Sequence, residues 1–412
     1  MFDPFVEGFA ADPYPIYAIE RNNEPIQQLP FGPWMVFTHA ESVRVLRDVS
    51  LSVDIQKAIE ISGFDPRTRA KMRAEIFPDR VPREDTSILN IDPPDHTRLR
   101  KLVSSVFTPK RISELRPVIE RIVDEYLDAV VARAQAAGSS TIEMDLVSDL
   151  AFPLPFRVIS EMLGIPDEDS AQIREWSHTL VRILDFTISP EELYDAVIAG
   201  ENMRDHVTQI IAWKRKNLSD DLLSALIGAE DNGDVLSDTE LLDQVTLLYI
   251  AGHETTVNLI GNGLWSLLTH RDQLELLRDD PSVETTAIDE LLRFDSPVQI
   301  SRRIALEDIE VGGHQIPAGS FVMTSLGSAN RDQAVFGANA DELDLRRSDA
   351  SRHLSFGSGT HHCLGASLAR LEGLVALTSL IRRFPNLQAQ SDPKWNGRLV
   401  LRGMDALALQ LN

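Results

Sequence analysis

Only one cysteine, Cys363, occurs in 412 residues. A single thiol excludes an internal disulfide, a cysteine-rich zinc site and a cysteine-ligated iron–sulfur cluster. Positive charge is also in deficit, with 40 Lys plus Arg against 63 Asp plus Glu and a net charge of −23. A polyanion of this strength suits neither nucleic acid nor anionic lipid, so neither is expected as a partner. No run approaches the ~18 uncharged apolar residues of a membrane span. The opening Met1-Phe-Asp-Pro-Phe-Val-Glu lacks the basic end and apolar core of a secretory signal, and a cytoplasmic location is expected. What remains is ordinary: 43% hydrophobic and 25% charged residues, the balance of a globular protein.

Organisation follows from the spacing of apolar residues and helix breakers. The first 35 residues carry six prolines, which limits them to turns and one short helix near Tyr14–Arg21. Trp34–Thr38 reads as a strand and residues 40–50 as a helix. Residues 63–95 show little periodicity, and such long irregular stretches often serve function. From His96 a helical period dominates, with breaks at Pro109 and Gly138. The longest helix is expected from Ser237 to His270, opened by the capping box Ser237-Asp-Thr-Glu240. Ile309–Pro317 reads as a hairpin turning at Gly312-Gly313. Leu364–Phe384 is helical, and short strands close the chain. No repeat or linker is visible, so residues 1–412 are expected to form a single domain.

The chemistry centres on Phe356-Gly-Ser-Gly-Thr-His-His-Cys363-Leu-Gly-Ala. A lone cysteine is most often a small buried hydrophobe. Here three glycines crowd it, and a helix starts just after it. Helix N-terminal amides favour a thiolate over a thiol. A thiolate held by backbone N–H groups is a good heme ligand.

At this loop the sequence resembles the cytochrome P450 family. Phe356, Gly359, His361, Cys363 and Gly365 match the family's heme-binding loop position for position. The resemblance implies heme b (iron protoporphyrin IX), with Cys363 as the axial metal ligand, Phe356 beside the cofactor and His361 against a heme propionate. Asp92-Pro-Pro-Asp-His96-Thr-Arg-Leu-Arg100 places His96 and Arg100 four residues apart on one helix side. Alone, this would be a solvated basic face; the resemblance makes both propionate partners. Arg303 matches a third, and neighbouring Arg302 leaves that register open. Glu290-Leu-Leu-Arg293 pairs an acid and a base one helical turn apart. The resemblance makes this pair structural rather than catalytic.

Inside the longest helix, Ala251-Gly252-His-Glu254-Thr255 interrupts an apolar run with an acid and a hydroxyl. Gly252 costs a helix about 1 kcal/mol against alanine, which calls for a kink or a ligand near the backbone. The segment matches the family's oxygen-activation motif. The resemblance implies that Ala251 lies over the heme and that Glu254 and Thr255 are catalytic, relaying and placing protons. The implied fold is mainly α with a small β region, a triangular domain with heme in its interior. The implied reaction is monooxygenation, inserting one atom of O2 into an apolar organic substrate. A non-catalytic heme-binding sensor is the alternative; it would keep Cys363 without needing Glu254 and Thr255.

The chain has no flavin or nicotinamide fingerprint, so electrons must come from a partner, expected to be a ferredoxin with its reductase. Arg98 and Lys101 are candidate docking residues, and Arg67, Arg69, Lys71 and Arg73 are weaker ones. A monomer is expected. By the same resemblance the substrate pocket is lined by residues 76–90, residues 170–200, Leu247, Ile250, Ala251, Val298, Gln299, Ile300 and Met404. Its apolar lining fits an apolar or amphipathic molecule, with Gln299 and Ser301 available to orient one polar group.

Overall fold

The capping box forms as the sequence predicts. Ser237 Oγ accepts from the Glu240 amide, and the Glu240 carboxylate accepts from the Ser237 amide. The helix it opens, Asp238–Thr269, is 32 residues long and spans about 48 Å. Most of its length is buried, because other helices surround it. Pro153–Leu163, Ser170–Leu180, Pro190–Lys214, Glu284–Phe294 and Ala366–Arg383 all pack against it. The computed structural model describes residues 1–58, 65, 67–80, 85–165, 170–185, 188–231 and 233–411.

Glycine permits the closest of these approaches. A Cβ at Gly252 would stand 2.5 Å from Ile159 Cδ1, so this glycine admits the Pro153–Leu163 helix rather than marking a kink. At Gly373 a Cβ would stand 2.9 Å from Leu259 Cδ2, which brings Ala366–Arg383 against the long helix. A large apolar cluster joins these helices through Val257, Leu259, Ile260, Leu264, Leu377 and Leu380.

The strands form small sheets at one side. The main sheet runs in the order Ile26–Gln28, Trp34–Val36, Phe321–Ser325, Ile300–Ala305, Leu51–Ser52. Ile300–Ala305 is antiparallel to Phe321–Ser325, with Arg302 opposite Met323 and Arg303 opposite Val322. The Gly312-Gly313 hairpin forms, both glycines at positive φ (52° and 83°). The short C-terminal strands also form; Ala408–Gln410 pairs with Glu143–Asp145 far upstream.

Several boundaries differ from the periodicity. Thr68–Ile76 is a helix inside the stretch that reads as irregular; its weak amphipathicity hides it. The expected helix from Lys110 divides at Leu115 into Pro109–Glu114 and Arg116–Ala136, since Pro117 lacks the amide that would continue the first. Beyond the break at Gly138 the helical period does not give one continuous α-helix: a π-helical turn, Val147–Ala151, precedes the Pro153–Leu163 helix. No helix among the described residues is long and apolar enough to cross a membrane.

Candidate active site

The Cys363 loop is closed by backbone hydrogen bonds. Cys363 N–H donates to Phe356 O at 2.9 Å, and Gly357 N–H donates to Leu354 O at 2.7 Å. Gly357 and Gly359 take positive φ, 69° and 74°. A Cβ at Gly359 would lie 2.9 Å from Leu46 O and 3.0 Å from Arg47 Cα. Backbone cannot yield there, so only glycine fits.

The thiol keeps accessible surface although protein crowds it from behind. Burial pushes its pKa up, while the Gly365 amide and the charges of Arg100 and Arg370 pull it down without overcoming burial. Phe356 is held beside it, with the Arg370 guanidinium 4.6 Å from the ring centroid. Arg370 is fixed in turn by Asp289 at 2.7 Å.

A second group of residues gathers near this loop. His96, 2% exposed, packs its ring 4.1 Å from that of His361. Neither ring nitrogen of His96 has a hydrogen-bond partner among the described residues. Burial lowers the His361 pKa to about 4, helped by the charges near it, first His96 and then Arg303. Arg303 is buried and, among the described residues, donates only to neutral oxygens, Arg302 O at 2.8 Å and Leu46 O and Ser301 Oγ at 3.4 Å. Burial brings its pKa down to about 10. Arg303, not Arg302, therefore accompanies His96 and His361. Arg100 donates to His362 O at 2.6 Å and adds its charge to the thiol side. Among the described residues, a buried imidazole with two orphaned nitrogens, a buried guanidinium hydrogen-bonded to no carboxylate and an accessible thiol suit one ligand. It carries a soft metal on one face and anionic groups at its edge. The residues present fit heme b.

The long helix supplies the opposite wall. Ala251, in mid-helix, is exposed, and Leu247, Leu248, Gly252 and Thr255 are partly so. Leu247, Ala251 and Thr255, four residues apart in turn, share one helix face, and each keeps accessible surface. Thr255 Oγ1 donates to Ala251 O at 2.9 Å. Glu254 points elsewhere. It is 5% exposed, accepts from Arg398 Nη1 at 2.9 Å, and lies 3.4 Å from His178 Nδ1. Burial raises its pKa, but His178, Arg398 and His253 together bring it below the ordinary carboxylate value. A cavity of about 600 Å³ opens at Glu254, with Arg182, Asp185, Glu192 and Lys394 in its wall. Adjacent in sequence, the acid meets a polar cavity and the alcohol meets the open side of the helix.

Other expected lining residues are spread. Ile250 packs into an apolar cluster near Tyr249, and Val298 bridges to Leu401. Ile300 joins the cluster of Phe37 and Met323. Gln299 is fixed internally, donating to Ser296 O at 2.7 Å and to the Tyr14 hydroxyl at 3.2 Å. Ser301 Oγ faces Arg303. Met404 packs near Gly261 and also borders the Glu254 cavity. The lining segments 76–90 and 170–200 include residues 81–84 and 186–187, which lie outside the described residues. Arg98 is paired with Asp234 and Glu240, and Lys101 with Asp231 at 2.5 Å. Their charges are thus already met within the chain. Sequence reasoning missed His178 and Arg398. Neither stands in a motif, and Arg398 is 144 residues from its acid.

Glu290 and Arg293 are both 0% exposed and joined by two hydrogen bonds, 2.7 and 2.8 Å. Arg293 also donates to Asn330 O, Ala340 O and Glu342 O, so the pair ties helix to downstream loop as the structural reading expects.

The family model described as "Cytochrome P450" matches residues 56–281 and 283–401. Cytochrome P450 107B1 of Saccharopolyspora erythraea is 40% identical over 98% of this chain and 96% of its own length. Vitamin D(3) 25-hydroxylase of Pseudonocardia autotrophica is 42% identical, covering 93% and 89%. The structure of P450BioI, in complex with hexadec-9Z-enoic acid ligated acyl carrier protein, aligns with a TM-score of 0.87. It is 33% identical, over 98% of this chain and 99% of that one. Fold and sequence agree from end to end, and the chain belongs to the cytochrome P450 family, whose monooxygenases use heme b.

Proposed function

We propose that Cys363 holds the heme iron and that His96, Arg303 and His361 hold its propionates, with Arg100 steadying the Cys363 loop through His362 O. The observation that carries this is His96, whose two buried ring nitrogens have no partner among the described residues. Heme b supplies the redox chemistry by which one atom of O2 enters a C–H bond and the other leaves as water, with two electrons and two protons. The chain's own part is to position substrate and control those protons. Ala251, small and exposed, leaves room beside the long helix. Thr255 presents its hydroxyl on that side, and Glu254 collects protons from the polar cavity behind it. Leu247, partly exposed on the long helix, offers apolar surface to the substrate, a small organic molecule.

The 412 residues form one domain and act as a monomer in the cytoplasm, reduced by a ferredoxin and its reductase. No flavin or nicotinamide fingerprint in the chain competes with that source. The paired state of Arg98 and Lys101 argues that docking rests on other cations of the Cys363 side. Cys363→Ser is the test. The purified variant should fold, lose the red-shifted absorption of the reduced CO complex, and lose turnover. A native spectrum in this variant removes the basis of the assignment, since the sequence has no second cysteine.

A further inference from the structure

The two oxygens of Glu254 meet different partners. His178, in the last turn of the Ser170–Leu180 helix, places Nδ1 3.4 Å from Glu254 Oε2. Its side chain is 37% exposed, against 6% for that of Glu254, and both line the cavity of about 600 Å³. The imidazole thus stands between a buried acid and the space that water can enter. Its ring is held edge-on to Phe152, with centroids 5.9 Å apart. Phe152 O in turn accepts from His253 Nε2 at 2.8 Å, which ties this support back to the long helix.

On the other side, Arg398 Nη1 donates to Glu254 Oε1 at 2.9 Å. A guanidinium keeps its proton throughout the neutral range, so this contact can hold the acid but cannot supply it. An imidazole gains and loses a proton there. The remaining charges of the cavity wall are matched among themselves. Arg182 meets Glu192 at 3.3 Å, Lys394 meets Asp405 at 3.7 Å, and Asp185 accepts from the Leu399 amide at 2.7 Å. A polar cavity with its charges already met suits water rather than a charged solute. His253, beside Glu254 in sequence, is fully buried and has no access to that water. Burial favours a neutral Glu254, but His178, Arg398 and His253 keep its pKa below the ordinary value. The carboxylate is therefore ionised and able to accept.

We propose that His178 carries protons from cavity water to Glu254 Oε2, while Arg398 anchors Oε1. In the transfer the His178 Nδ1–H bond breaks and an Oε2–H bond forms. The imidazolium becomes imidazole, the carboxylate becomes the acid, and cavity water then restores the imidazolium. No electron moves in this step. A separation of 3.4 Å is of the kind that tightens in a working complex. The proposal rests on the role given to Glu254 above and adds the step before it; His178 acts through the acid.

The test is steady-state consumption of reductant by the heme-loaded full chain, at saturating ferredoxin and reductase, with naphthalene as the organic probe. This readout registers turnover whether or not the probe is oxidised. His178→Gln keeps a hydrogen-bond donor beside Oε2 but cannot relay a proton. It should lower kcat about ten-fold, leave the KM for ferredoxin unchanged, and raise the ratio of rates in H2O and D2O about two-fold. His178→Lys keeps positive charge beside Glu254 but releases its proton far less readily, and it should also be slow. The double variant with Glu254→Gln should be no slower than Glu254→Gln alone, since the two groups act in series. A native kcat in His178→Gln overturns the proposal and shows water serving Glu254 directly. A native kcat in His178→Lys overturns it by showing that charge suffices, and additive losses in the double variant overturn it by showing independent roles. Should His178→Gln fail to load heme, His178→Lys decides the matter. Failure of the Glu254 reading would show differently, as a native rate in Glu254→Gln itself.

Discussion

Arg398 Nη1 donates to Glu254 Oε1 at 2.9 Å, reaching from the C-terminal loop to the middle of the long helix. Burial acts most strongly on Glu254 and favours the neutral acid; Arg398 and His178 reverse that preference. Arg398→Gln should therefore raise the Glu254 pKa. With the depressed value, ionised Glu254 contributes stability above about pH 4.5, its ordinary pKa, and loses that contribution as pH falls through the lowered one. In the variant this contribution is weakened or inverted. The melting temperature gap from the native protein should be wide at pH 7, up to about 3 kcal/mol in stability, and narrow near pH 4. A gap that ignores pH counts against the pairing.

Glu254 and Thr255 diverge, so their substitutions should fail differently. Glu254→Gln removes the ionisable link to the polar cavity and should slow turnover by roughly 10²-fold. Thr255→Ala leaves that link intact. It should still consume reductant while releasing much of it as hydrogen peroxide. The measurement is the ratio of product formed to reductant consumed. Tight coupling in Thr255→Ala speaks against the role given to its hydroxyl.

The Glu290–Arg293 pair predicts a loss of stability rather than of chemistry. Arg293 is fully buried with five hydrogen bonds, two to Glu290 and three to loop carbonyls. Arg293→Ala leaves the buried Glu290 carboxylate with Arg347 at 3.3 Å as its remaining cation and three loop carbonyls without their donor, and should cost about 3–5 kcal/mol in urea unfolding. Arg293→Lys keeps the charge but has three donors instead of five and should not restore stability. A lysine variant with native melting would show that charge alone suffices.

Glu372 predicts the opposite pH trend. It is buried in the Ala366–Arg383 helix, its Oε2 has no partner among the described residues, and burial raises its pKa well above the ordinary value. A raised acid contributes its stability below its unfolded pKa, near 4.5, and loses it as pH climbs through the folded value. Glu372→Gln removes this dependence. Relative to the native protein, the variant should gain stability on going from pH 5 to pH 8. A difference that stays flat over that range would rule out a neutral buried Glu372.

Much of this molecule is legible because its signals are local. The capping box at Ser237, the two-glycine hairpin and the spacing around Cys363 each act within a dozen residues, and each takes the expected shape. Glu290 and Arg293 announce their pairing by standing one turn apart. The Thr68–Ile76 helix is missed because it buries no residue and so leaves no apolar stripe. Arg398 and His178 are missed because only folding brings them to Glu254. Gln299 reads as a free polar group until the Tyr14 hydroxyl, 285 residues earlier, is found beside it. The choice between Arg302 and Arg303 is a question of strand facing, which sequence leaves open where two arginines are adjacent.

The cluster of His96, Arg303, His361 and Cys363 also bears on how the chain is made. These residues span 96 to 363 of a 412-residue polymer, so their meeting closes a very long loop. Contacts of that separation form late, because chain entropy must be lost before they repay it. During synthesis, 362 residues precede the one thiol. Helices of the N-terminal half can assemble in that time, but on the proposed assignment the cofactor site lacks its thiol ligand until the Cys363 loop arrives. Capture of the prosthetic group therefore belongs to the end of biogenesis. A strain starved of heme should accumulate a helical, protease-sensitive apoprotein rather than an unfolded chain.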